Sequence, residues 1–295
     1  MAIGISLHIG VNQADPAFDV KKLKGCVNDA DIMSRIAVSR GFWAKRLVDE
    51  EATFDRVKEA ILWAASILKA GDIFFFTFAG HGSFMSSEIV IDEDDLQDET
   101  ILLHDCILID NYLRRILWTQ FAEGVRILGI ADSCHSGSVL LALAPTTIPG
   151  IPVVTGLAGE LGVGGVALEG VNVLSPVVGA PVRAFTRDDR DRIVGLRPEI
   201  HEKLKTDLEL STDTAIKAKI LSLSACEDNQ EAVDGDPHGA FTNALLEVWD
   251  DANFSGTYTD FIQRIQAKFP GNAQHPTLRP AEIDQGFLNQ RPFTI

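Results

Sequence analysis

Two apolar runs that each stop abruptly in a short polar turn are the strongest constraint on this fold. Ile73-Phe74-Phe75-Phe76-Thr77-Phe78 leads into Ala79-Gly80-His81-Gly82, and Val125-Arg126-Ile127-Leu128-Gly129-Ile130 leads into Ala131-Asp132-Ser133-Cys134-His135-Ser136-Gly137. Both runs have strand length, and neither alternates apolar with polar, the pattern of strands covered on both faces. The neighbouring segments keep a strand-then-helix rhythm. Ile3 to Val11 alternates strictly and predicts a first strand. Helical spacing follows from about Asn28 to Arg40, with Gly41 as its stop. Ala44–Val48 reads as a short strand, and Thr53 caps a helix whose Phe54, Val57, Ile61, Ala64 and Leu68 share one face. Asp110 heads a further helix through Leu113, Ile116, Leu117 and Phe121. Lys219–Ser224 reads as a strand, with helices at about Ala240–Trp249 and Thr259–Phe269. This alternation predicts an α/β fold: a mostly parallel sheet flanked by helices on both faces, in three layers.

The two turns put an imidazole and a thiol at the C-terminal ends of strands, where open α/β sheets carry their chemistry. The two residues stand 53 positions apart. A Cys with a His in reach is an activated nucleophile, because the imidazole takes the thiol proton. Cys134 therefore reads as the nucleophile and His81 as the group that moves its proton. The backbone N–H groups of Gly82 and Cys134 are the candidate oxyanion donors. A buried core Cys is the plain alternative, but the frame Asp-Ser-Cys-His-Ser-Gly is too polar for a core segment. His135 points away from Cys134 if the segment is extended, and reads as structural. His8, His104, His201, His238 and His275 have no motif around them.

A formal net charge of −16 over 295 residues argues against nucleic acid and anionic membranes as partners, and suits basic peptides. The four Cys form no CxxC pair, so zinc is not expected, and reduced thiols suggest a cytoplasmic protein. The alternation of Ile3 to Val11 reads as a strand, so no signal peptide is expected there. Ser138 to Val182 is nearly uncharged, but Pro145, Pro149 and Pro152 interrupt it, so no membrane span is expected. Arg183 to Lys219 is dense in basic residues and reads as an exposed, mobile connection. Ser87 to Asp110 reads as an acidic loop.

The motifs at His81 and Cys134 resemble those of caspase-like cysteine peptidases (peptidase C14), and among them the type I metacaspases and their bacterial orthocaspase relatives. Gly25-Cys26-Val27-Asn28-Asp29-Ala30 is similar to a third signature of that family. Leu223-Ser224-Ala225-Cys226-Glu227-Asp228-Asn229-Gln230-Glu231-Ala232, followed by Gly239-Ala240-Phe241-Thr242, is similar to its small-subunit signature. The resemblance covers residues 3–137 and 218–295. It implies a caspase–hemoglobinase fold in which 1–137 is the large-subunit-like part with the dyad. Residues 138–217 form an apolar and then basic insert, and 218–295 complete one catalytic domain.

The implied activity is that of a cysteine endopeptidase cutting proteins and peptides after Arg or Lys, through a thioacyl-enzyme on Cys134. The implied S1 pocket is lined by Asp29 and Asp132, with Cys26 beside them; paired carboxylates suit a guanidinium. Asp29 also has a plain reading, as an acid in a helix's first turn. Ala79 departs from the family, which often has Ser there. That change is expected to weaken arginine binding or to relax the choice between Arg and Lys. Self-processing is expected within 183–219, after Arg183, Arg187, Arg190 or Arg192. No cofactor is expected. Asp92 and Asp105 match the first part of the calcium-binding acid set of eukaryotic relatives, but Val139-Leu140-Leu141-Ala142-Leu143, straight after Ser138, holds no acid to complete it. A monomer is favoured. The alternatives are a caspase-like peptidase with another P1 preference, and a catalytically silent or partner-activated binding module.

Overall fold

The computed structural model describes residues 1–86, 97–134, 181–212, 214–227, 230–271, 274–281 and 285–295. Asp92, His135 and the apolar insert as far as residue 180 lie outside the described residues. Six strands form one sheet: β1 (Gly4–Gly10), β2 (Trp43–Val48), β3 (Ile73–Ala79), β7 (Arg126–Asp132), β8 (Lys219–Ser224) and β9 (Thr277–Ala281), in the order β2-β1-β3-β7-β8-β9. All neighbours are parallel except β8 and β9. The antiparallel edge strand β9 carries Pro280, which an edge tolerates because one side of it needs no donor.

Successive side chains of the central strands enter opposite layers. Phe74, Phe76 and Phe78 join Ile5, Leu7 and Ile9 in one apolar cluster, with Val57, Ile61 and Ala64 of α2 (Phe54–Ile67). Ile73, Phe75, Leu128 and Ile130 enter the other. That side is covered by α1 (Cys26–Ser39), α6 (Ala240–Trp249) and α7 (Tyr258–Gln266). The three-layer expectation holds because β3 and β7 are apolar on both faces.

Three segments differ from the sequence reading. The end of the acidic stretch is not loop: β4 (Gly82–Ser86), β5 (Gln97–Leu102) and β6 (Ile107–Ile109) form a small antiparallel sheet. The expected helix after Asp110 is short, α3 (Asp110–Tyr112), continued by a wider turn over Leu113–Leu117. The expected mobile connection after residue 182 is a helical hairpin of α4 (Arg187–Leu196) and α5 (Pro198–Leu210). Its apolar stripe is sparse, with Ile193, Leu204 and Leu208 buried, so periodicity hides it. Its charges hold it instead: Arg192 Nε donates to the Phe18 carbonyl (2.8 Å), Arg197 pairs with Asp15, and Asp207 accepts from Tyr112 (2.7 Å) and Lys58 (3.1 Å). Gln285–Leu288 forms a last turn, α8. Among the described residues no helix is long and apolar enough to cross a membrane.

Candidate functional site

β3 and β7 lie side by side, with Ala79 opposite Asp132. Two residues beyond that pair come His81 and Cys134, so the strands deliver both side chains to one end of the sheet. Both are buried. His81 Nε2 lies 2.6 Å from the Lys21 carbonyl oxygen. Only an N–H satisfies that acceptor, so Nδ1 is the bare nitrogen of the neutral ring. Nδ1 is buried without a hydrogen-bond partner. Burial lowers the His81 pKa, while the Lys21 and Ala184 backbone groups pull it back up. Burial pushes the Cys134 thiol well above its ordinary range. Its Sγ accepts the Ala232 N–H (3.0 Å) and lies 3.6 Å from the Ala232 carbonyl oxygen. Thiol and imidazole are thus both neutral here.

The end of the sheet is not empty. Arg183 runs through it at a bend between Val182 and Ala184, with its side chain fully buried. Its carbonyl oxygen accepts the N–H groups of Gly82 (2.9 Å) and Cys134 (3.3 Å), the two donors expected from the sequence. Its own N–H donates to the Ala232 carbonyl (3.0 Å), Val182 pairs with Val233, and Ala184 pairs with Gly82. Glycine is required at position 82: a Cβ there would stand 2.3 Å from the Cys134 carbonyl oxygen.

The guanidinium enters a pocket of three carboxylates. Nη2 donates to Asp29 Oδ2 (2.6 Å) and to Asp234 Oδ1 (3.2 Å), and Nε reaches Asp234 Oδ1 at 3.3 Å. Nη1 lies 2.9 Å from Asp132 Oδ1 and directs its hydrogen to the Asp132 carbonyl, also at 2.9 Å. All three acids are buried. Burial pushes the Asp132 carboxyl up to about 6, against the pull of Arg183; Asp29 adds to the rise and Thr242 opposes it. Gly239 forms a wall of the pocket, because a Cβ there would stand 2.6 Å from Arg183 Nη2.

Asp29 and Asp132 therefore meet in one pocket as expected. Cys26 lies within the electrostatic reach of Arg183, Asp29, Asp132 and Asp234, with its thiol pushed up by burial. Ala79 packs with Leu23 and Cys26. Asp105 instead caps α2, accepting the Phe54 N–H (2.9 Å). Among the described residues no group of three or more His, Cys, Asp and Glu is placed to hold a metal. Of the arginines expected to be exposed, Arg183 is buried in the pocket, while Arg187, Arg190 and Arg192 lie in α4.

Sequence reasoning missed Asp234, His238 and the Lys21 carbonyl. Asp234 also accepts the N–H groups of Lys24 (2.8 Å) and Gly25 (3.2 Å), fastening the start of α1 to the small-subunit loop. His238 Nδ1 lies 2.9 Å from Asp29 Oδ1, leaving Oδ2 for the arginine. No local motif marks either residue; their partners lie some two hundred positions away in the chain.

The model of the caspase domain family matches residues 3–287. Metacaspase-1 of Candida albicans is 25% identical over 96% of this chain and 66% of its own length. Metacaspase-1A of Aspergillus oryzae is 29% identical over 89% of this chain and 63% of its own. This chain thus spans about two thirds of those relatives. A crystal structure of protein GSU0716 from Geobacter sulfurreducens superposes with a TM-score of 0.77 at 34% identity, covering 99% of this chain and 98% of that one. With a thiol and an imidazole at adjoining strand ends of a helix-flanked sheet, and a family match across nearly its whole length, the chain belongs to the caspase-domain family.

Proposed function

We propose that the protein is a cysteine endopeptidase that cuts after arginine, and that Arg183–Ala184 is its own first substrate bond. One observation carries the reading. Arg183 has its guanidinium among Asp29, Asp132 and Asp234 while its carbonyl oxygen accepts from Gly82 and Cys134. Those are the two demands of acyl transfer: a held side chain, and paired donors where negative charge develops. Cys134 Sγ leaves its contact with Ala232 and attacks the Arg183 carbonyl carbon, forming a C–S bond. His81 Nδ1 takes the thiol proton and passes it to the Ala184 nitrogen as the C–N bond breaks. Water then hydrolyses the thioester. The Lys21 carbonyl keeps the His81 ring in the tautomer this needs. Contacts at Nε, Nη1 and Nη2 suit a planar fork better than an ammonium, so arginine is preferred to lysine.

Intact-mass measurement tests this. Wild type yields fragments ending at Arg183 and beginning at Ala184, and Cys134→Ala stays whole. A full-length species alone in wild type, after long incubation with and without calcium, overturns the self-processing reading; failure to cut any arginine peptide as well overturns the peptidase. A second reading has support in the filled pocket and the contact between Sγ and Ala232. The described arrangement is a latent one that a partner opens, and an arginine chloromethyl ketone then labels Cys134 only after that partner is added.

A further inference from the structure

Arg183 is not the only side chain that the cleft buries in this stretch. Arg183 and Phe185 are buried, at 0% and 5% exposure, whereas Val182 and Ala184 are half-buried and Thr186 is exposed. Phe185 stands two residues past the arginine, on the leaving side of the bond, and belongs to the same apolar cluster as Ile101, Leu108 and Ile193. The Phe185 carbonyl accepts the Ser83 hydroxyl at 3.0 Å. Ser83 follows Gly82, the residue that pairs with Ala184. The first two residues of β4 thus form a rail for the chain that leaves the cut. The rail ends at Phe185, because Thr186 and Asp189 then close a capping box and the backbone turns helical.

We infer that the protein has a second specificity subsite, which takes a large apolar side chain two residues after the arginine and uses Ser83 to fix that residue's carbonyl. The inference rests on the reading of Arg183–Ala184 as the bond presented to Cys134. The half-buried Ala184 asks for a small residue between the two anchors. The preferred substrate class is arginine, a small residue, then an aromatic or large aliphatic residue. A phenyl ring suits such a pocket, since it removes much apolar area from water and has little rotamer freedom to lose.

The test is a peptide series Pro-Val-Arg-Ala-X-Thr, this chain's own sequence, with X as Phe, Leu, Gly or Asp, cut by the full-length protein. In parallel, intact-mass time courses follow self-cleavage of wild type, Phe185→Leu and Phe185→Asp. Phe and Leu are expected within a few-fold of one another, and Gly and Asp lower in kcat/KM by roughly tenfold or more. Ser83→Ala lowers kcat/KM for the Phe peptide by roughly twofold to tenfold. Equal cutting of every peptide, with both Phe185 variants self-cleaving like wild type, removes the subsite and leaves the arginine reading standing. Failure to cut any arginine bond, in peptides or in the chain itself, removes both. The peptide arm leaves the protein unaltered, so a Phe185→Asp chain that does not fold still leaves a decisive result.

Discussion

Arg183 neutralises a pocket that otherwise holds three buried carboxylates. Removing one partner of a buried ion pair leaves uncompensated charge and costs about 3–5 kcal/mol. Arg183→Ala is therefore expected to lower the Tm markedly at neutral pH. The sign of the pH effect follows from Asp132. Burial raises its pKa above the unfolded value, which penalises the ionised folded state at neutral pH and is relieved as it protonates. Arg183 opposes that rise in wild type, so the gap to wild type should narrow as pH falls from neutral toward about 6, the value of Asp132 with Arg183 in place; a gap independent of pH in thermal melts would count against it. The same carboxyl sets an expectation for substrates. A protonated Asp132 no longer attracts a guanidinium, so KM for an arginine peptide rises as pH falls from neutral toward about 6, the value with a guanidinium in place. Asp132→Asn has a higher KM at neutral pH and lacks that limb, as pH-resolved Michaelis curves will check. His81, lowered by burial, acts in the proton transfer and is expected to shape kcat instead.

The hairpin of α4 and α5 lies directly after the bond at Arg183, and its start is set by a reciprocal cap. Thr186 Oγ1 accepts the Asp189 N–H (3.2 Å), while Asp189 Oδ2 accepts the Thr186 N–H (2.9 Å). Losing such a cap costs about 1 kcal/mol. Thr186→Ala is expected to fray the first turn of α4 and to raise hydrogen exchange over Arg187–Arg190, with β3 and β7 unchanged. These elements differ in how openly the sequence announces them. β3, β7, β8 and α6 were legible because burial on both faces, or a strong stripe, leaves unbroken or periodic apolar residues. Cys134, His81 and Asp132 were legible because each sits at the end of such a strand within a motif, and Asp29 because it sits within the Gly25–Ala30 motif. The hairpin was not, since ion pairs to the body replace most of its apolar stripe. β4 and β5 were not, since acids crowd the sequence between them. Asp234 and His238 act through contacts to residues some two hundred positions away, which no local pattern encodes.

At the scale of the molecule, the bond at Arg183 divides the chain between β7 and β8, which are neighbours in the middle of the sheet. Their pairing runs in register from Arg126 opposite Lys219 to Ala131 opposite Ser224. A chain cut after Arg183 is thus expected to elute from a size-exclusion column as one particle, its fragments parting only in denaturant; two separate native peaks would contradict this. The anchored hairpin has a further consequence. After the cut, the new amino group of Ala184 stays beside Gly82, tethered by Phe185 and by the ion pairs of α4 and α5. An amine held against its own thioester acts at effective concentrations that reach on the order of 10⁵ M, far above that of water. Resealing by that amine is then expected to compete with hydrolysis of the thioester, so that opened chain accumulates slowly. The firmness of the hairpin's grip sets the balance, and loosening it through Arg197→Ala speeds the build-up of the opened form in intact-mass time courses.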